Sequence, residues 1–243
     1  MHPLDGAYIR LGWAEKRLTE LMTLNAAVVN KELQAAIKSL SVDAKFGQFI
    51  PAGESMSVLK FNRPEFPIPA EMSLLIGEIL YNLRGCLDYL VYQLAILDSG
   101  SEQNGTQFPI EDSQNGFRGR RKSYLKFVND SHVASIERLQ PYNGVDWTKW
   151  LRTYSNPDKH RHLVVSTHET RMSTTETAKP ADPQDAWNGL FLNLRVNSGG
   201  REMYMNIHIT FFIAFDNGLP VIDTLEEIKT QVGNTLTDFK PEF

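Results

Sequence analysis

Two short stretches hold most of the residues in this chain whose types and spacing suit chemistry. The first is "SNPDKHRHLVV", residues 155–165, which crowds Asp158, Lys159, His160, Arg161 and His162 into one pentad just after Asn156. The chain has only six histidines, so two of them beside a Lys, an Arg and an Asp is a concentration. An imidazole exchanges a proton near neutral pH, and neighbouring cations hold an anion such as a phosphodiester. The second stretch is "YNLRGCLDYLVYQLA", residues 81–95, where Asn82, Arg84 and Asp88 interrupt an apolar pattern. Arg84 and Asp88 are four apart, so on a helix their side chains are neighbours. A guanidinium held by a carboxylate suits planar anions. The same pair also reads as structural, because an arginine beside a buried seam needs a partner.

If the pentad folds over the 71–97 helix, His160 stands near Arg84 and Asp88. Asp88 or Asp158 would then orient the ring, and Lys159 or Arg161 would hold the substrate, with Asn82 and Asn156 beside them. That is the catalytic expectation: Arg84, Asp88 and His160. The structural alternative has the pentad capping a helix end and pairing across to Asp88. Metal binding is a third reading, since Asp158, His160, His162 and His168 cluster, but no fuller ligand set is visible. We expect no metal and no cofactor. A basic strip, "RGRRKSYLK", carries Arg118, Arg120, Arg121, Lys122 and Lys126. It reads either as a contact to a phosphate backbone or as a solvated helix face.

These residues need elements to position them. Residues 5–40 have apolar positions at close to helical spacing, which predicts a long helix. Residues 44–62 hold two aromatic and aliphatic stretches around "PAGES", which predicts a hairpin. Pro64, Pro67 and Pro69 then make a stiff connector. The clearest segment runs from Glu71 to Leu97. Ile76, Leu80, Leu83, Leu87, Leu90, Leu94 and Leu97 recur in steps of four and three, a heptad seam for packing against other helices or against a second copy. Shorter helices are expected at 114–128, at 131–139 with Ser131 as cap, and at 145–155. Residues 163–173 read as a strand and 174–189 as a loop. "GLFLNLRVN" and "EMYMNIHITFFIAF", joined by "SGG", read as a hairpin. A last helix over 222–238 would be capped by Asp223. The expected class is α+β in one domain, residues 1–243. A helical bundle forms from about 5–40 and 70–160, and a small antiparallel sheet from about 44–62 and 162–215.

Several motifs together bear a resemblance. The stretch "NLRGCLDYLVYQLA" resembles the motif helix of HEPN-type domains, helical-bundle proteins of ribonucleases, toxins and phage-defence systems. "QFPI" at 107–110, "QPY" at 140–142 and "NPDKHR" at 156–161 resemble an uncharacterised bacterial group with an Arg-x-x-x-Asp-His helix and an N-x-DKHR element. The resemblance covers roughly residues 70–165. It implies an RNA-directed protein, a metal-independent ribonuclease or a degraded relative, with Arg84 at the motif arginine and assembly across a homodimer through the 71–97 helix. Tyr89 stands where the motif has His. A phenol is poorly suited to proton exchange near neutral pH. Five residues along a helix also turn by about 140°, which sets Arg84 and Tyr89 on different faces. The competing reading is a non-enzymatic interaction module in which Arg84, Asp88 and the pentad are structural.

Composition sets the bounds. The chain has 243 residues, 42% hydrophobic and 22% charged, with a formal net charge of -4. That length supports a substantial core, and the charge argues against a whole-surface nucleic-acid footprint while leaving a local basic patch open. Cys86 is the one cysteine, which excludes an intramolecular disulfide; it reads as a small buried side chain. The N-terminal residues do not read as a secretory signal, and no apolar run approaches a membrane span. The expectation is a cytoplasmic protein with RNA as partner and no membrane.

Overall fold

The heptad seam over residues 76–94 builds the centre of the molecule. In a computed structural model, which describes residues 2–42, 68–160, 166–177, 189–198 and 201–243 and side chains at 2–31, 68–155 and 212–243, this seam lies on helix α2, Ala70–Ser99. Ile76, Leu80, Leu83, Leu87, Leu90 and Leu94 have no exposed surface. Each such side chain stabilises the fold by about 1.5–3 kcal/mol through removal from water. The seam is therefore satisfied within one chain up to Leu94, while Leu97, its last expected position, is 45% exposed near the end of the helix.

The other helices follow in order. They are α1, Asp5–Val42; α3, Gln114–Tyr124; α4, Asp130–Arg138; α5, Asp146–His160; and α6, Val221–Phe239. A 3-10 turn, Pro141–Asn143, joins α4 to α5, so "QPY" ends the helix as its proline requires. The chain divides into two compact units. The first takes Met1–Met22, Pro69–Ser166 and Leu219–Phe243. In it α2 packs on α5 and α6, and α5 on α6. Leu4, Ala7, Ala14, Leu18 and Leu21 of the N-terminal segment are buried, as are Val221, Leu225, Ile228, Val232 and Leu236 of α6. This is the helical bundle that the periodicity predicts.

The second unit takes Thr23–Ile68 and Thr167–Gly218. It contains strands β1, Ser166–Thr177; β2, Gly189–Ser198; and β3, Arg201–Phe215, in the order β1-β3-β2. The β2–β3 pairing is antiparallel, with Leu190 opposite Ile209, Leu192 opposite Ile207 and Leu194 opposite Met205. The expected hairpin at 44–62 lies outside the described residues.

Four local expectations change. The cap of α4 is Asn129, not Ser131: Asn129 Oδ1 accepts from the His132 N–H at 2.9 Å. Asp223 does not cap α6; it lies in the first turn, behind Pro220, where its charge complements the helix dipole. Strand β1 extends to Thr177, into a stretch read as loop, because the threonines of "TTET" favour extended backbone. Helix α5 continues past Pro157 to His160, so the pentad begins on a helix.

Helices α1 and α2 run antiparallel at close range. A Cβ on Gly6 would stand 2.8 Å from the Tyr89 ring, and one on Gly85 3.1 Å from the Arg10 guanidinium. Glycine at both positions lets the partner side chain lie flat on the opposite backbone. Between them the Cys86 thiol donates to the Ala7 carbonyl at 3.3 Å. Burial pushes that thiol up to about 12 from 9.0. The folded state therefore favours the neutral thiol. This contribution is full below about pH 9 and is lost as pH rises through about 12. At pH 8 a chromogenic disulfide reagent should leave the native thiol untouched and titrate it fully in denaturant. Replacing Cys86 with Ala should flatten the alkaline decline in stability measured by urea unfolding. Rapid labelling of the native protein would contradict the buried placement.

Candidate functional site

Between α2 and α3 a strap, residues 106–111, has no regular secondary structure. Phe108, Pro109 and Ile110 within it are nevertheless buried. Buried peptide groups without a ladder partner or water must be met by side chains. Asp88 Oδ1 accepts from the Phe108 N–H at 2.9 Å, and Arg84 Nη2 donates to the Phe108 carbonyl. Arg84 and Asp88 of α2 thus hold both polar groups of one residue. Gln140, fully buried after α4, donates through Nε2 to the Pro109 carbonyl at 2.9 Å and accepts at Oε1 from the Glu111 N–H at 3.0 Å. From α5, Arg152 Nη1 donates to the Ile110 carbonyl at 3.2 Å, and its Nη2 to Asp112.

Arg84 is 8% exposed, and its Nε lies 3.7 Å from Asp88 Oδ1. Burial lowers its pKa, and the Asp88 charge opposes that shift. The expected Arg84–Asp88 proximity is present, but as a partner pair joined through a peptide group. Tyr89 lies elsewhere: its ring rests on Gly6 and under the Arg10 guanidinium, 5.0 Å from ring centroid to Cζ. Asn82, also buried, donates to the Glu78 carbonyl at 2.8 Å and accepts from Arg10 at 3.5 Å. It therefore belongs to the α1 side and not to the strap.

Asn156, Asp158, Lys159 and His160 end α5, but their side chains lie outside the described residues, as do Arg161 and His162 entirely. The convergence of His160 on Arg84 thus falls outside what is described, and so does the histidine and aspartate cluster weighed for a metal. Among the described residues no group of three or more metal-ligating side chains is suited to a metal ion. On α3, Arg120 pairs with Glu111 at 3.1 Å and Arg121 with Asp130 at 2.6 Å. Arg118 and Lys122 are exposed.

The sequence reading missed a buried histidine cluster. His132 Nδ1 lies 2.8 Å from Asp98 Oδ2, with both side chains 7% exposed, and its Nε2 lies 3.5 Å from Glu242 Oε2. Asp98 also accepts from the Asn129 N–H at 2.8 Å and side-chain amide at 2.7 Å. A carboxylate only accepts, so the geometry puts a proton on Nδ1. The cluster ties the end of α2 to the start of α4 and to the C-terminal turn. Its legible signal was Asn129 three residues before His132, the spacing of a cap. Gln140 and Arg152 were missed too, and only the "QPY" motif pointed to the first.

No helix among the described residues is long and apolar enough to cross a membrane. Comparison of the chain with protein-family models, with curated proteins and with solved structures returns no match.

Replacing Arg84 with Ala should remove about 3 kcal/mol of stability, because it orphans a buried carbonyl and removes the cation beside Asp88. Asp88→Asn keeps an acceptor for Phe108 and should cost less, about 1 kcal/mol. Gln140→Ala should cost about 2 kcal/mol by leaving a carbonyl and an N–H unmet. Urea unfolding measures all three. An Arg84→Ala protein as stable as the parent would refute the clamp. Asn129→Ala should cost about 1 kcal/mol or more, since the cap disappears together with the amide bond to Asp98.

Proposed function

We propose that this chain is a HEPN-like helical protein that binds RNA, as a relative that no longer uses its motif helix for cleavage. One observation carries this reading. The Arg84 guanidinium is buried and committed to the Phe108 carbonyl, while Tyr89, at the position of the motif histidine, lies on α1. A phosphodiester would have to displace the strap to reach Arg84. The RNA side of the proposal rests on the resemblance and on the strip along α3. There Arg118 and Lys122 pair with no carboxylate among the described residues, so they are available to phosphates. The end of α5, with Asn156, Asp158, Lys159, His160 and Arg161, would supply further polar groups to the RNA backbone. The same reading takes the chain as an α+β cytoplasmic protein of a defence or toxin-type system, with the bundle joined to a small antiparallel sheet.

A second reading, a non-enzymatic scaffold that pairs with a copy of itself, draws support from the outer face of α2. Leu74 is 55% exposed there, whereas the seam positions from Ile76 to Leu94 are filled within the chain. A homodimer through the 71–97 helix would use that outer face.

Incubation of the full chain with labelled RNA, with and without chelator, separates the readings. Binding without cleavage, weakening steeply with salt, is expected. Neutralising Arg118 and Lys122 should make the salt dependence shallower, by a slope of about one for each phosphate they neutralise. Cleavage that survives chelation, and that Arg84→Ala abolishes with no change in melting temperature, would instead restore a ribonuclease. No binding, together with concentration-dependent dimerisation, would favour the scaffold.

A further inference from the structure

The crossing of α1 and α2 leaves a row of rings and cations along one edge of the first unit. Tyr81 is 54% exposed, Trp13 44% and Tyr89 40%. The Arg10 guanidinium lies 5.0 Å from the Tyr89 centroid and 5.6 Å from that of Tyr81, so it bridges the two rings. Lys16 and Arg17 lie 4.9 and 4.8 Å from the Trp13 centroid. Scattered exposed rings are ordinary, but three on one helix pair with cations among them form a patch.

The charges say what would fit it. Arg17 is matched by Glu20 at 2.5 Å and Glu78 at 2.8 Å. Glu15 is engaged with Lys229 at 3.6 Å. Arg10 and Lys16 have no carboxylate within ion-pair distance among the described residues, and the one hydrogen bond of Arg10 there is to Asn82 at 3.5 Å. An apolar protein partner would bury the Arg10 charge without a counter-ion. A second copy placed symmetrically would bring Arg10 towards Arg10. A polyanion with flat faces answers both features.

We propose that this edge is a stacking platform for single-stranded RNA. Bases lie on Tyr81 and Trp13, and phosphates are met by Arg10, which Tyr89 holds from below, and by Lys16. The inference rests on the RNA-binding reading and adds the strand form and the residues that take it. Every base has a π-face, so the platform discriminates strandedness more than sequence. In a duplex the bases are stacked on one another and closed to the rings.

The test uses the full chain, a fluorescein-labelled oligouridylate and a labelled duplex RNA of equal length, read by anisotropy. Trp13→Ala combined with Tyr81→Ala should weaken oligouridylate binding at least about tenfold and leave duplex binding unchanged. The Trp13→Phe and Tyr81→Phe pair should stay within about twofold of the parent, because the ring faces remain. Circular dichroism and melting confirm that both pairs fold, and the exposure of these residues makes them tolerant positions. Equal affinity of the Ala pair and the parent would overturn the platform. If neutralising Arg118 and Lys122 still weakened that binding, the RNA reading itself would stand. Failure of the parent to bind any RNA would end both. Unchanged RNA affinity with loss of a dimer in sedimentation would assign the edge to a second copy.

Discussion

The unmet peptide groups of the strap between α2 and α3 are the constraint on which the first unit depends. A buried irregular segment cannot hydrogen-bond to water or to a neighbouring strand, and its polar groups are costly when left alone. Side chains from three separate places in the chain answer it. Asp88 and Arg84 come from one turn of α2, Gln140 from the end of α4 and Arg152 from α5. A carboxylate accepts and a guanidinium donates, so the pair matches the N–H and C=O of Phe108 as no apolar pair would. The helices that carry these side chains are thereby held in register with one another. Charges inside the bundle act here as backbone partners, which explains why an apolar heptad helix tolerates them.

The crossing of α1 and α2 sorts the polar side chains of α2. Gly6 and Gly85 allow Tyr89 and Arg10 to lie flat against the opposite helix, and the Cys86 thiol fills the space between. Arg84 is turned to the strap and Tyr89 to α1. This follows from the helical period, since five residues do not return to the same side. Residues that look adjacent in a motif are thus divided between a buried clamp and an exposed edge. Among the described side chains, accessible polar chemistry is on α3 and on the α1/α2 edge, while Arg84 is buried.

Three of the stretches singled out in the sequence meet in a single structural feature. "RGCLD" supplies the clamp, "QFPI" is the strap and the glutamine of "QPY" closes it. Their co-occurrence in a sequence therefore has a folding explanation that is independent of catalysis. The fourth stretch, "NPDKHR", begins on α5, the helix whose Arg152 holds the same strap.

The sequence by itself determined where the helices of the bundle run. The heptad steps of residues 76–94 placed α2 to within two residues, and the long N-terminal helix and the last helix were equally legible, because periodic burial acts over neighbouring positions. It also paired Arg84 with Asp88, a four-residue relation. Caps were less legible: Ser131 competed with Asn129, and Asp223 with a first-turn role, since short polar residues near a helix start all resemble caps. Tertiary structure alone decided what Arg84 holds, that Gln140 is fully buried and that His132 meets Asp98. Those partners lie 24, 31 and 34 residues apart, and hydrogen bonds over such separations leave no period in the chain to read.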